Sequence, residues 1–460
     1  MEFSSLVFLF LFLPAALLLH FLSPKKLRNP ILLILNLLFY GYGEPRYILL
    51  MVGSIVGNFL FALFIDHAER KVFRRCTMIT AVTVNLLSLG WFKYAGLFTE
   101  TLQTVPIFSG LPVVSVVLPI GISFYTFQAM SYVIDVYRRD HVPSRNIVDF
   151  ATYISLFPQL IAGPIVRYSD VASQLRERNI TMEKFSWGVR MFCIGLAKKV
   201  LLANQFALLW EQVSVDPLSM GTIWSWCAIA AYSMQIYFDF SGYSDMARGL
   251  GAMFGFDFCV NFEYPYISRS ITEFWRRWHM SLSTWFRDYV YIPLGGSKCG
   301  TVKMIRNLMI VWMLTGFWHG AGWNFLFWGF YYGVLLVLEK FVFRRLLKKL
   351  PALVGHLITL ILVMIGWVFF ACVDLDAAWQ YLRTMFIPSS GTSYVQLVSW
   401  LPLTLIGLLA CTPFVSGCWK KNADKIAFQF MEMLLCLLAL ILCAGSLASG
   451  AYNPFIYFRF

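Results

Sequence analysis

The sequence predicts an all-α fold: a polytopic transmembrane helical protein with about 12 crossings and additional re-entrant or peripheral helices. Hydrophobic residues make up 59% of the 460 residues and charged residues only 13%, whereas soluble proteins carry roughly 25% charged residues. The apolar residues also form long unbroken runs, unlike the weakly alternating strands of an outer-membrane barrel. This composition excludes an ordinary soluble enzyme, a disordered chain and a disulfide scaffold.

The predicted spans are the apolar stretches that approach the roughly 20 residues needed to cross a bilayer. They are 5–22, 30–43, 47–65, 77–96, 115–136, 147–166, 187–208, 222–243, 307–321, 323–343, 353–371, 398–417 and 428–448. Pro158, Gly163 and Pro164 interrupt the stretch 147–166, so we predict that it is re-entrant or peripheral. The remaining stretches account for the prediction of about 12 crossings.

The net charge of +13 indicates membrane orientation rather than nucleic-acid binding, because the basic residues form short blocks between the apolar runs. These blocks are predicted to be cytoplasmic, which places both chain termini outside. They are Lys25–Arg28, Arg70–Arg75, Arg138–Arg139, Arg344–Lys349 and Lys420–Lys421. The ten cysteines are scattered without a C-x-x-C motif, which favours buried thiols over a metal site or a disulfide set.

The domain organisation predicted from these spans has two parts. Residues 1–425 form a transmembrane core, and 426–460 form a C-terminal transmembrane helix with an extracytoplasmic aromatic tail. Within the core, the segment 244–306 is neither a span nor a short loop, and it is aromatic-rich and basic. We predict that it is amphipathic, faces the cytoplasm and handles a cytoplasmic substrate.

Residues 271–289 are predicted to form one amphipathic helix within that segment. Arg276 and Arg287 fall together on one flank, and His279 lies at the border of the apolar face. One interpretation is an interfacial helix with snorkelling arginines. The other is a donor site, in which the arginines bind the phosphates of a nucleotide-bearing donor and His279 lies at the rim. The substrate-binding candidates are Arg276, Arg277, Arg287 and the aromatic Trp278.

A second candidate site is the segment 316–324, which contains Trp318, His319 and Asn324 between glycines. His319 follows Arg306, a predicted interface residue, by 13 positions (319 − 306), which is roughly 20 Å of helix. His319 therefore lies deep in a hydrocarbon core about 30 Å thick, where ionisable residues are functional candidates. A neutral histidine packed between helices is the alternative.

A third patch, Asp239, Ser241 and Asp245, closes the predicted span 222–243. It is either a hydrogen-bonded helix end or a set of residues that orients a histidine or lines the tunnel of the donor. The residues alone leave both interpretations open.

Several long motifs together resemble the membrane-bound O-acyltransferase (MBOAT) family. They are Leu118–Gln128, Ala162–Arg167, Phe238–Asp245, Glu273–His279 and the Trp318-His319-Gly320 hairpin. The resemblance is strongest to the bacterial branch that acetylates exported polysaccharides such as alginate or peptidoglycan, in the inner membrane. It implies that His319 is the principal catalytic histidine, that His279 is the second, and that acetyl-CoA is the cytoplasmic donor. It further implies an SGNH-hydrolase-like acetyltransferase partner outside the membrane, with no metal and no permanently bound cofactor.

The C-terminal tail, residues 453–460, resembles the aromatic motif of the single-span peptide of the teichoic-acid D-alanylation system, whose tyrosine is implicated as an acyl carrier. This resemblance makes Tyr457 a candidate covalent carrier, and an aromatic membrane anchor is the alternative. Apart from acetyl-CoA and the transferase, the expected partners are membrane lipids. A transporter or flippase without covalent chemistry remains as a second functional hypothesis, although internal repeats and charged spans, typical of transporters, are not evident.

Overall fold

The structure is a computed structural model that describes residues 1–343, 349–389, 395–450, 452–454 and 456. Within these residues the regular secondary structure is helical, without a β-strand, which confirms the predicted all-α class. By packing, the chain divides into two compact units, Met1–Phe192 with Ser244–Cys259 and Cys193–Tyr243 with Val260–Phe460. The predicted boundary at 425/426 concerns membrane topology and stays a prediction.

The first unit contains eight α-helices and parts of two longer ones. They are α1 (Leu13–Leu22), α2 (Arg28–Gly43), α3 (Ile48–His67), α4 (Lys71–Gln103), α5 (Ile122–Arg138), α6 (Ile147–Ser155), α7 (Phe157–Leu160) and α8 (Tyr168–Arg176), then the start of α9 (Met182–Ala197). Pro158 lies in the first turn of α7, where proline is tolerated. The stretch 147–166 is thus divided at Leu156, and its re-entrant or peripheral placement in the membrane stays a prediction.

The second unit continues from α9 through a π-helical turn, Lys198–Ala203. Its helices are α10 (Asn204–Ser214), α11 (Pro217–Met220), α12 (Thr222–Met253, whose end belongs to the first unit), α13 (Ile271–Arg277), α14 (Met280–Phe286), α15 (Thr301–His319), α16 (Trp323–Leu338), α17 (Ala352–Ala371), α18 (Leu375–Phe386), α19 (Val395–Ala410), α20 (Phe414–Asn422) and α21 (Ile426–Ala448). A further π-helical turn, Arg287–Tyr291, follows α14.

Six helical segments of the described chain are long and apolar enough to cross a membrane, and a seventh is added if α19 and α20, bent by 60°, count as one span. They are Pro45–His67, Lys71–Gln103, Met182–Ser214, Trp323–Phe343, Ala352–Ala371 and Ile426–Ala448. The protein is a multi-pass helical membrane protein. The count of about 12 crossings and the side of each terminus stay predictions.

The single helix predicted over 271–289 is wrong. The structure has two short helices, α13 and α14, which are broken at Trp278 and His279. His279 has a φ of +44°, in the left-handed region that an α-helix of L-residues cannot continue through. The spacing of apolar residues in the sequence cannot reveal a single residue with a positive φ. The break places His279 at a junction between helices rather than on a helical face.

Helices α15 and α16 form a tight hairpin that positions His319. A Cβ on Gly316 would lie 2.3 Å from the carbonyl oxygen of Phe325, and one on Gly329 would lie 2.4 Å from that of Trp312. Only glycine, which has no side chain, allows the two backbones to approach this closely, as in the small-residue contacts of other membrane helices. His319 is the last residue of α15, so this contact determines where the imidazole lies.

Candidate active site

A cavity of about 230 Å³ lies within the second unit and joins several predicted site residues. Both candidate histidines, His279 and His319, line it, as do Arg276, Arg287 and Trp278. The other lining residues are Thr272, Trp275, Leu282, Ser283, Phe286, Tyr291, Leu308, Val311, Trp312, Thr315 and Leu336. The wall is thus mainly aromatic and aliphatic with a few converging polar groups, the usual composition of a small-molecule site.

His319 is buried among aromatic rings. Its imidazole centroid lies 5.0 Å from that of Trp318, 5.0 Å from that of Trp328 and 5.2 Å from that of Phe370. Rings on several sides fix the orientation of the imidazole. Trp318 thus contacts His319 and lies 6.2 Å from the ring of His279, although it is not one of the residues that line the cavity.

His279 is held by Asn261, a residue that the sequence analysis did not single out. The side-chain oxygen Oδ1 of Asn261 accepts hydrogen bonds from the backbone N–H of Ser281 at 3.1 Å and from the Ser281 hydroxyl at 2.9 Å. A backbone N–H can only donate, so this atom must be the amide oxygen and not the nitrogen. The same oxygen lies 3.1 Å from Nδ1 of His279. Nδ1 must therefore carry the proton and donate it.

That tautomer leaves the lone pair of His279 on Nε2. His279 is only 2% exposed, and its Nε2 has no hydrogen-bond partner among the residues that the structure describes. Burial lowers the pKa of His279 to about 3, so the ring is neutral near pH 7. A neutral imidazole in a cavity wall, with an unused acceptor, is suited to receiving a proton or a hydrogen bond from a bound group.

The three candidate arginines have different surroundings. Arg276 is exposed and forms no ion pair with any described residue, whereas Arg287 pairs with Asp288, its Nε lying 2.7 Å from Oδ1. Arg277 forms an ion pair with Glu273 at 3.0 Å and does not line the cavity. The structure therefore brings Arg276 and Arg287 to the cavity and directs Arg277 elsewhere.

Asn324 lies away from the cavity lining and holds two helices together. Its Nδ2 donates to the carbonyl oxygens of Phe369 at 3.2 Å and Cys372 at 2.9 Å. These carbonyls lie at the end of α17, where the backbone has no intrahelical donors left. Asn324 thus caps α17 from the first turn of α16, and this contact supports the hairpin that carries His319.

The third predicted patch is divided by the structure. Asp239 forms an ion pair with Lys199, with Nζ 2.8 Å from Oδ1, and Ser241 is buried with no hydrogen-bond partner for its hydroxyl among described residues. Asp245 belongs to the first unit, and its Oδ1 lies 3.8 Å from a guanidinium nitrogen of Arg248.

Phe240, the residue after Asp239, contacts the cavity wall, because its ring centroid lies 4.7 Å from that of His279. Sequence reasoning missed Phe240 because an aromatic residue in a span has no distinguishing signal.

Tyr457 lies outside the described residues, together with Phe455, Phe458 and Phe460. The described part of the tail, 452–454 and 456, contacts the second unit. Asn204 Nδ2 donates to Asn453 Oδ1 at 3.0 Å. The role of Tyr457 stays a prediction.

Comparison with known proteins determines the family. The sequence model of MBOAT, the membrane-bound O-acyltransferase family, matches residues 73–374, which is more than half of the chain and includes His279 and His319. The chain belongs to the MBOAT family. It is accordingly an O-acyltransferase, and the hypothesis of a transporter without acyl chemistry is set aside.

Relatives of this MBOAT protein are named for the O-acetylation of polysaccharides. The probable alginate O-acetylase AlgI of Pseudomonas putida is 39% identical over 100% of both chains. The protein of the same name from Pseudomonas aeruginosa is 44% identical over 85% of this chain and 76% of its own length. The peptidoglycan O-acetyltransferase of Helicobacter pylori is 34% identical over 83% of this chain and 79% of its own.

The hydrogen bond from Nδ1 of His279 to Asn261 in this MBOAT chain can be tested by substituting Asn261. Asn261→Leu is expected to lower kcat roughly 10- to 100-fold, by analogy with the loss of residues that orient metal-binding histidines. Asn261→Asp keeps an acceptor for Nδ1–H and should retain more activity. Its carboxylate would raise the pKa of His279, so activity should fall at a higher pH on acidification than in the wild type. Equal losses in both variants, with unchanged pH profiles, would contradict the argument.

Proposed function

We propose that this protein takes acetyl groups from cytoplasmic acetyl-CoA and delivers them across a bacterial inner membrane for O-acetylation of an exported or cell-wall polysaccharide. Peptidoglycan and alginate-like polymers are the candidate acceptors, because relatives named for both align over most of the chain. Acetyl-CoA is a substrate here and not a resident cofactor. The observation that carries the proposal is that two buried histidines and two arginines line one cavity.

The cavity suits a thioester donor. Its arginine-lined part offers guanidinium groups, which bind phosphates in a bidentate fashion. Its aromatic part excludes water, which protects an activated acyl group from hydrolysis and strengthens polar interactions. A donor with several phosphates and an uncharged acyl end fits both parts.

Transfer then proceeds through a tyrosyl ester. The imidazole of His319 accepts the phenolic proton of Tyr457 as the phenolic oxygen attacks the thioester carbonyl, because a phenol with a pKa near 10 is a poor nucleophile alone. A C–O bond forms and the C–S bond breaks. The imidazolium returns the proton to the departing thiolate, so acetyl-tyrosine and CoA are the products. His279, with its free Nε2, lies in the same cavity wall and is suited to accept a hydrogen bond from the reacting groups.

The second transfer takes place outside the membrane. A nucleophile of an SGNH-hydrolase-like acetyltransferase attacks the ester of Tyr457, the phenol is regenerated, and the partner passes the acetyl group to a sugar hydroxyl. This order solves a physical problem. CoA is too polar to cross about 30 Å of hydrocarbon, whereas an acetyl ester on a short tail carries no charge.

The proposal is tested with purified protein in proteoliposomes and acetyl-CoA labelled in the acetyl group. We expect label to become attached to the protein, to be released by hydroxylamine as an ester would be, and to map to the peptide that contains residue 457. A control with labelled acetate should give no attached label. Absence of protein-bound label, in a preparation that still acetylates polymer with its partner present, would overturn the ester intermediate.

The donor site leads to a further prediction. Arg276→Gln combined with Arg287→Gln is expected to raise the apparent KM for acetyl-CoA about 10-fold or more, because the net loss of even one hydrogen bond to a charged group costs roughly 1.5–3 kcal/mol. Adding Arg277→Gln should have a smaller further effect, since Arg277 is engaged by Glu273. Arg383→Gln, at an exposed position of α18, serves as the matched control. If the KM of the double variant equals that of the wild type at every salt concentration tested, the donor binds elsewhere.

A further inference from the structure

A buried ion pair lies in the second unit, apart from the cavity lining. Lys199 of the π-helical turn 198–203 and Asp239 of α12 are each only 2% exposed, and Nζ lies 2.8 Å from Oδ1. Taking two charges out of water is costly, and their attraction offsets this cost only when further hydrogen bonds satisfy the remaining donors and acceptors. The partners that do so therefore indicate what the pair binds.

The partners come from the C-terminal tail. Lys199 Nζ donates to the backbone carbonyl of Pro454, and the backbone N–H of Ile456 donates to Asp239 Oδ2 at 2.9 Å. The cation thus binds a carbonyl and the anion binds an N–H, which matches each charge to the complementary end of the peptide dipole. Ile456 is itself buried. Among the described tail residues, Ile456 therefore lies in the interior of this unit, and 452–454 are partly buried.

Two further contacts flank this pair. Asn453 accepts a hydrogen bond from Asn204 of α10, and the hydroxyl of Tyr452 donates one to the carboxylate of Glu211.

The close approach of two helices also brings the ion pair together. A Cβ on Gly242 would lie 2.7 Å from the carbonyl oxygen of Gly195, so glycine lets α12 approach α9 and brings Asp239 within reach of Lys199.

We propose that Lys199 and Asp239 form a binding site for the main chain of the C-terminal tail and fix the tail in one register. We name this pair the tail seat. It holds residues 454 and 456 through backbone groups, and the next residue along the chain is Tyr457. Lys199 and Asp239 are positioning residues that act through the tail. Their contribution to acetyl transfer rests on the proposed function, whereas the seat itself rests on the contacts above.

The competing explanation is that the ion pair only joins α12 to the preceding turn. Lys199→Met combined with Asp239→Leu separates the two ideas, because well-packed apolar residues commonly replace a buried ion pair at no cost to folding. A second variant, Ile456→Pro, deletes the N–H donor from the tail and leaves the pair intact. Lys184→Met is the matched control, since Lys184 forms a partly exposed ion pair with Asp257 in the first unit.

The test measures amide hydrogen exchange of the full-length purified chain in the peptide that spans 449–460. Losing hydrogen bonds to charged groups is expected to speed exchange of this peptide about 10- to 100-fold in both the double variant and Ile456→Pro. Exchange in Lys184→Met should equal that of the wild type. Exchange that stays slow in both seat variants would overturn the tail seat.

Acetyl transfer is measured on the same samples so that the two proposals fail separately. Faster exchange with a lower kcat and an unchanged KM for acetyl-CoA supports both the seat and its role in positioning. Faster exchange with unchanged transfer supports the seat and overturns its role in positioning the tail for acetyl transfer. Slow exchange overturns the seat whatever happens to transfer.

Discussion

Replacing His319 with alanine is expected to abolish acetylation while the protein still inserts into the membrane. Loss of a general base typically costs 10²–10⁴-fold in rate. The imidazole is packed against Trp318, Trp328 and Phe370, which hold it at the cavity wall, and alanine supplies no proton acceptor in its place. The measurement is the initial rate of label transfer from acetyl-CoA, normalised to the amount of protein in the membrane.

A matched control is available in His67, which is exposed at the end of α3. His67→Ala should transfer acetyl at the wild-type rate. His319→Gln retains a polar side chain of similar length but cannot accept a proton, and it should be as inactive as the alanine variant. Wild-type transfer by a folded His319→Ala protein would refute the assignment of the base.

Tyr457→Phe is expected to eliminate polymer acetylation, with an effect as large as that of His319→Ala. The substitution keeps the aromatic ring and removes only the phenolic oxygen, which is the proposed nucleophile. An aromatic anchor would work equally well with phenylalanine. The result therefore separates the two interpretations of the tail. The readout is acetylated polymer formed with the partner transferase present, together with protein-bound label by mass spectrometry.

Two controls make this comparison specific. Tyr452→Phe removes another tail hydroxyl, the one that donates to Glu211, and should retain bound label on Tyr457. His319→Ala with an intact Tyr457 should carry no label, because formation of the ester requires the base. Polymer acetylation at the wild-type rate by Tyr457→Phe would show that the tail is an anchor.

The sequence predicted the helical class and the hairpin at His319 because both depend on local patterns. Apolar run length indicates which segments can cross a bilayer, and a glycine-flanked histidine between two apolar runs marks a turn. Clustering of His279, Arg276 and Arg287 near the cavity also followed from positions close together in the chain. Those residues lie within one short segment, and any compact folding of it brings them near one another.

Long-range contacts could not be predicted in this way. The hydrogen bond between Ile456 and Asp239 joins residues 217 positions apart, and no periodicity relates them. The break at His279 was missed because a positive φ leaves no mark on the spacing of apolar residues. Asn261 was missed for a related reason: an isolated asparagine before α13 has many possible partners, and only the fold shows that its amide oxygen faces Nδ1 of His279.

Docking of the tail within its own chain has a kinetic consequence. Residues 449–451 alone connect α21 to Tyr452, and so short a tether holds a tail at an effective concentration on the order of 1 mM. A seat with an intrinsic dissociation constant of about 0.1 mM would then be occupied roughly ten times out of eleven. With ordinary association rates, such a weak complex dissociates on the order of 10 to 1,000 times per second. A tail with that affinity would be docked most of the time and would still leave its seat often enough to reach a second enzyme in each catalytic cycle.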